Sequence, residues 1–373
     1  MRKLCVLLLL CTAVLRADSN YPADVSFFIA DLKYSQEHGV KICEIQQGVL
    51  SIFFGDVLLN GKNGLISSQV EQVFAEFPIK KWSINSDITF NSLLAELMES
   101  PRWNFHRSSS ELFSDPAFLK AAATPPKDPN SIASYKGMVL ARSSTIGDYK
   151  EFRKKYPGIM VAGAPSFSCW IDKYKMSLLF ARDPIVAAVK PEWGLYPKIY
   201  SETLAQTIMN DIPSERYVIK PRGAFLGAGV IIVPKEELDS TLQYILQPST
   251  ALLANRDKSY SYWNHERFDS FLVEKYYPSD EISVDAFGGK TYEPTMRAAF
   301  MLIYDNKKID FRFLWGYWLL PEKSLEEGGT LNEVAKAYCK LPFFTPASDE
   351  VLRQVTKQLG ATMPALYKYM LES

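Results

Sequence analysis

Residues 271–287, FLVEKYYPSDEISVDAF, read as strand, short connector, strand. Phe271-Leu272-Val273 is a compact apolar run of the kind that forms a buried strand, and Ile282-Ser283-Val284 opens a second one beyond Pro278. Glu274 closes the first strand, and Glu281 stands seven positions later, just ahead of the second. Upstream lies a related pattern: Tyr217-Val218-Ile219-Lys220-Pro221-Arg222 is an apolar strand ending on a lysine. Gly223-Ala224-Phe225-Leu226-Gly227-Ala228-Gly229 follows it, and then the apolar run Val230 to Val233. Strand, glycine loop and return strand make a hairpin. A dinucleotide fold or a P-loop instead needs a helix N-terminus after its glycines, and the P-loop a closing Gly-Lys-Ser or Gly-Lys-Thr. The physics of the loop is nevertheless related, since glycines bring backbone N–H groups close to a phosphate while a lysine supplies a mobile point charge. A flexible hairpin tip with Lys220 at a strand end is the plainer reading of the same residues.

Further upstream, Trp170-Ile171-Asp172-Lys173 opens a helix that runs through Ser177 to Ala181. Taken together, over roughly residues 165 to 335, these parts resemble the ATP-grasp superfamily, especially its D-alanine–D-alanine ligase-like branch. The resemblance implies an α/β fold: an N-terminal Rossmann-like lobe over 18–165, a nucleotide lobe with a glycine-rich flap over 166–270, and a C-terminal lobe with its terminal helix over 271–373. It implies that Lys173 and Lys220 neutralise the phosphates of ATP and that Gly223, Gly227 and Gly229 form the flap that closes over them. The backbone from Glu274 through Lys275 to Tyr276 would read the adenine edge, and Glu281 would accept hydrogen bonds from the ribose hydroxyls. Arg297, in Pro294-Thr295-Met296-Arg297, takes the place of the cation that holds the transferred phosphate, although a surface ion pair is an ordinary use for such a residue. The implied activity is an ATP- and Mg2+-dependent carboxylate–amine (or carboxylate–thiol) ligase acting through an acyl phosphate on a small-molecule or peptide substrate. The alternative is a nucleotide-binding module, or pseudoenzyme, on the same fold without ligation.

The sequence departs from the family at the metal site. Active members carry acids on the two strands after the arginine, ending in Glu-x-Asn. Here Arg297-Ala298-Ala299-Phe300-Met301-Leu302 has none, and Ile309-Asp310-Phe311-Arg312-Phe313-Leu314 has only Asp310. Glu326, Glu327 and Asn332 are the nearby substitutes for holding magnesium, and they serve equally well as a solvated helix cap.

The flanking sequence is consistent with folded lobes. Hydrophobic residues make up 47% of the 373 and charged residues 23%, so the chain is neither disordered nor of the size of one small domain. Forty-two basic and forty-two acidic residues cancel, leaving no global field for a nucleic acid or an anionic lipid surface. Val40 to Ile45, Leu50 to Phe54, Met138 to Ala141 and Ile159 to Ala162 are strand-like. Ser68 to Phe77 and Asn91 to Glu99 between them have helical spacing, an alternation that predicts a mainly parallel sheet. Ala121 to Asn130, with three prolines, reads as loop, and Ser348 to Leu371 as one or two amphipathic helices. The aromatic stretch Trp315 to Pro321 reads as core.

Arg2-Lys3, the apolar run Leu4 to Leu15 and Arg16-Ala17 have the layout of a secretory leader over residues 1–17, too short for the ~20 residues of a membrane span. Export is the expectation, and it conflicts with a need for ATP unless ATP is present where the protein arrives. Of five cysteines, Cys5 and Cys11 fall in the leader; Cys43, Cys169 and Cys339 are too scattered for a disulfide framework or a zinc site. His38, His106 and His265 are equally dispersed.

Overall fold

A computed structural model of the protein describes residues 14–16, 21–47, 54–61, 64–84, 103–141, 143–164, 172–224, 227–247, 249–338, 340 and 342–372. Its elements in chain order begin with β1 (Val14–Arg16), β2 (Asp24–Ser35) and β3 (Gly39–Gln47), then α1 (Phe54–Asn60), α2 (Leu65–Ala75) and β4 (Lys80–Ile84). Next come β5 (Trp103–His106), α3 (Pro116–Ala122), β6 (Gly137–Leu140), α4 (Tyr149–Lys155), β7 (Ile159–Val161) and α5 (Lys173–Phe180). The middle of the chain holds β8 (Trp193–Pro197), α6 (Leu204–Asp211), β9 (Arg216–Pro221), β10 (Ile231–Pro234), α7 (Leu238–Leu246) and β11 (Ser270–Lys275). The last third supplies β12 (Ile282–Val284), β13 (Lys290–Tyr292), β14 (Thr295–Asp305), β15 (Lys308–Leu319), α8 (Leu331–Ala335), β16 (Phe344–Pro346) and α9 (Asp349–Glu372).

The mixed α/β expectation holds, with the strands divided among separate sheets. The predicted parallel sheet is the four-stranded β5-β4-β6-β7, whose pairs are all parallel. Trp82, Phe118, Phe152 and Tyr156 fill its core with α3 and α4. Met138 to Ala141 and Ile159 to Ala162 fall on β6 and β7 as read, and Ser68 to Phe77 on α2. Leu50 to Phe53, Asn91 to Glu99, Cys169 and Cys339 lie outside the described residues, while Phe54 opens α1 and so begins a helix where a strand was expected.

Val40 to Ile45 forms a strand but joins a different sheet. β2 and β3 make an antiparallel hairpin that docks on the far end of the chain, in the order β1-β15-β14-β2-β3. Met296 to Tyr304 pairs with Leu32 to Asp24 in reverse, and β15 runs back along β14. β2 is buried along nearly its whole length because it is an interior strand covered on both faces. α9 lies against β15 and β3, presenting Leu352, Val355, Leu359, Met363 and Leu366 to the main core. It is a single 24-residue helix despite Pro364. Among the described residues no helix is long and apolar enough to cross a membrane.

A third sheet, β10-β9-β11-β8, is wholly antiparallel and backed by α6 and α7 around Leu204, Ile208, Leu238 and Leu242. The expected hairpin around the glycine loop is β9–β10. Of the expected leader, residues 1–13 and Ala17 lie outside the described residues, while Val14–Arg16 pairs with Asp310, Ile309 and Lys308 at the edge of the six-stranded sheet.

Candidate functional site

A cavity of about 420 Å³ opens between the β8–β11 sheet and the N-terminal hairpin, with β14, β15 and the residues after α8 completing its wall. Lys173, Lys220, Gly227, Glu274, Lys275, Tyr276 and Arg297 all line it, from five separate stretches of sequence.

Strand register sets the centre. Lys220 on β9 is opposite Leu272 on β11, so Lys220 and Glu274 occupy one face as diagonal neighbours. The Glu274 carboxylate is buried and held at both oxygens: Lys190 Nζ donates to Oε1 at 2.5 Å and Lys220 Nζ to Oε2 at 2.5 Å. Lys220 also donates to the Cys43 carbonyl on β3 at 3.0 Å. Burial by itself would raise the Glu274 carboxyl, but the two ammonium groups outweigh it and hold the pKa below the ordinary value. Burial also pulls both lysines down. Glu274 more than restores Lys220, while Lys190 stays lowered, as expected when two ammoniums share one carboxylate. The Cys43 thiol beside them is pushed up by burial.

Lys173 enters from the N-terminus of α5. Asp172 is its N-cap, accepting from Tyr174 N at 3.0 Å, and binds Arg222 NH2 at 2.6 Å, so the Asp-Lys pair is fixed to the strand that carries Lys220. Lys173 Nζ donates to the Ala224 carbonyl and lies 3.2 Å from Glu44 Oε1 of β3. In the glycine loop, Phe225 and Leu226 are outside the described residues. Gly223 N donates to Glu266 Oε2 at 3.4 Å. Gly229 has φ +70, and a Cβ there would meet Pro221 Cγ at 2.5 Å. Gly227 has φ +69 and sits against Lys336, which donates to the Val230 carbonyl at 3.0 Å and Ser259 Oγ at 2.9 Å.

The stretch after Glu274 is partly committed to the sheet. Lys275 N donates to Glu192 O at 2.9 Å and Tyr276 N to Arg216 O at 3.1 Å, so both of these N–H groups are already engaged. The Tyr276 hydroxyl bonds Glu293, which also holds Lys33 Nζ at 3.1 Å. Glu281 is exposed and does not line the cavity. Arg297 on β14 faces Asp31 on β2 directly in register, and the two make a bidentate pair with both contacts at 2.8 Å. Opposite Asp31 and Leu32 the neighbouring strand β3 carries one extra residue, Cys43, as a bulge.

Glu326, Glu327 and Asn332 do not line the cavity and are engaged elsewhere. Glu326 accepts from Thr291 N at 3.0 Å, Glu327 pairs with Lys290 at 2.9 Å, and Asn332 Oδ1 accepts from Ile232 N at 2.9 Å. Hydrogen bonding, from Thr291 to Glu326 and from Ser324 and Lys290 to Glu327, holds both carboxyls at about 2. α8 is capped instead by a Thr330–Glu333 capping box.

Sequence reasoning missed Asp31, Lys33, Lys41 and Glu44 of the hairpin, together with Lys190 and Lys336. One signal was present: Asp31 and Lys33 stand two apart in the largely apolar run Phe27 to Tyr34, which puts two charges on one face of the strand.

No protein-family model and no curated protein matches the sequence. Solved structures do resemble it. A glutathione synthetase-like effector from Globodera pallida, in apo form, is 13% identical, with TM-score 0.38 over 81% of this chain and 74% of that one. D-alanyl-alanine synthetase A from Vibrio cholerae is 8% identical, with TM-score 0.36 over 76% and 79%. The D-alanine–D-alanine ligase from Coxiella burnetii is 10% identical, with TM-score 0.32 over 79% and 94%.

Proposed function

We propose that this chain is an ATP-grasp-type nucleotide-binding protein whose cavity takes the polyphosphate of an adenine nucleotide. One observation carries the reading: Lys173 and Lys220, on different elements, meet in one cavity, each steadied by an oxygen of β3. Glu274 and the Cys43 carbonyl hold the Lys220 ammonium in place on the cavity wall, where a phosphate would meet its charge. In this reading Glu274 orients the phosphate-binding lysine from behind.

Ligation of a carboxylate to an amine is the second reading, favoured by Arg297 lining the same cavity. There Arg297, positioned by Asp31, would steady an acyl phosphate while an amine attacks it, with catalysis by placement and charge rather than by a side-chain nucleophile. Calorimetric titration with ATP, ADP and GTP tests the first reading. Adenine nucleotides are expected to bind, and Lys220→Ala to abolish binding while leaving the melting temperature within a few degrees; absence of binding in the wild type refutes it. Release of ADP in the presence of paired amino-acid or peptide substrates tests the second.

The proposal extends to location: residues 1–17 act as an export leader, and the mature chain begins near Asp18. Cleavage there would remove β1, a three-residue edge strand, and leave β15 paired with β14 and β16. Mass spectrometry of the secreted N-terminus decides this.

A further inference from the structure

We propose that the cavity binds its polyphosphate ligand without a divalent metal, the protein's fixed cations balancing the charge that magnesium would otherwise carry. This rests on the nucleotide reading above and goes further by assigning the counter-charge.

Magnesium in a phosphate site takes one or two carboxylates plus phosphate oxygens in near-octahedral order. Three carboxylates line this cavity, and each already has a cation. Both oxygens of Asp31 are taken by Arg297 at 2.8 Å, with Gln46 Nε2 a further 3.3 Å donor. Both oxygens of Glu274 are taken by Lys190 and Lys220 at 2.5 Å. Glu44 lies 3.2 Å from Lys173. Both oxygens of Asp31 and of Glu274 and one oxygen of Glu44 already face a cation, so a dication on any of them would sit beside an ammonium or guanidinium in a partly desolvated wall, where like charges repel strongly. Among the described residues no three His, Cys, Asp or Glu side chains gather into a metal-holding group, so an ion could be held only by one or two of these carboxylates together with the ligand.

The positive charge is meanwhile built in. Seven lining side chains are basic against the three carboxylates. Glu293 and Glu192, just behind the wall, offset Lys33 and Lys275, and Lys190 adds a further cation behind Glu274. The balance stays positive by several charges. These cations are anchored: Lys33 Nζ is held by Glu293, the Pro294 carbonyl and the Ala335 carbonyl at 3.0–3.1 Å, an oxygen cage of the sort a metal ion would occupy. The charge sits in place before the ligand arrives and costs no reorganisation on binding. A bare polyphosphate is therefore the better electrostatic match, because magnesium on the ligand would cancel part of the attraction.

The test is ATP binding to the full chain by isothermal titration in EDTA and again in excess magnesium chloride at equal ionic strength. Expected is binding in EDTA that magnesium leaves unchanged or weakens. Tightening by magnesium of about threefold or more overturns the proposal and leaves the nucleotide reading standing. Absence of binding under both conditions overturns the nucleotide reading, and this proposal with it.

Discussion

Replacing Glu274 with Gln keeps the shape of the side chain and removes the anion that two buried lysines share. Glu274, Lys190 and Lys220 have side chains only 3%, 7% and 6% exposed, so water cannot take over the lost role. Removing one partner of a buried ion pair costs about 3–5 kcal/mol, because the charge left behind has no counter-ion. For a chain of 373 residues melting as one unit, that corresponds to a fall in Tm of roughly 4–6 °C. The pH dependence gives the sign. Without Glu274, burial and mutual repulsion depress both folded-state lysine pKa values below the unfolded value. A base with a depressed folded pKa destabilises most where it must be charged, so the deficit is full at pH 7 and shrinks as pH rises toward 10. Lys190→Met is the matched control: it leaves a one-to-one Glu274–Lys220 pair and relieves the lysine whose pKa is lowered, so its cost stays near 1–2 kcal/mol. Calorimetric or circular-dichroism melts of both variants from pH 6 to pH 10 check this. A Glu274→Gln variant within about 1 kcal/mol of wild type at pH 7, or less stable than wild type by an amount independent of pH, refutes the reasoning.

Asp24 offers a test away from the cavity. Burial raises its carboxyl from 3.8 to about 6, against the opposing hydrogen bonds of Ser26 and Tyr367. The folded state therefore holds the proton more tightly; the associated stability is full below about pH 4 and lost as pH rises through 6, a swing of about 3 kcal/mol that Asp24→Asn should flatten. Gly229→Ala should cost about 2–3 kcal/mol, since φ is +70 and the new Cβ would meet Pro221 at 2.5 Å. Gly288→Ala, at φ +72 with nothing within 4 Å, should cost only about 1 kcal/mol; equal melting temperatures for the two would contradict this assignment. Arg297→Ala leaves Asp31 without its bidentate partner and should destabilise by about 2 kcal/mol, with Arg297→Lys recovering only part, as chemical denaturation will show.

The strands that carry Lys220 and Glu274 were legible because each is a local apolar run with its charge at the end, and the β9–β10 hairpin needs no distant information. β2 was not. Its Asp24, Asp31 and Lys33 disguise an interior strand, and its partner β14 lies more than 250 residues away, a pairing with no local signature. Spacing singled out Glu274, which lines the cavity, but not its partners, because Lys190, 84 positions upstream, turns the carboxylate into a counter-ion. Glu281 had the right spacing and an exposed position away from the cavity, showing that a seven-residue interval along the chain does not fix a direction in space. The acids at 326 and 327 were visible as acids, but the backbone of Thr291 and the side chain of Lys290, which claim them, are brought near only by the fold.

The long reach from β2 to β14 also sets a timetable. Lys33 must wait for Glu293, 260 residues later, so at translation rates of roughly 5–20 residues per second the hairpin that floors the cavity stays unpaired for on the order of ten to fifty seconds. Until then Phe27, Phe28 and Ile29 are an open apolar edge on a nascent chain, a ready substrate for a holdase. The middle sheet can form while the C-terminal third is still being made, but the cavity closes only after the last strands emerge. A chain built in this order closes its cavity only when synthesis is nearly complete, since Phe344 of β16 is among the lining residues.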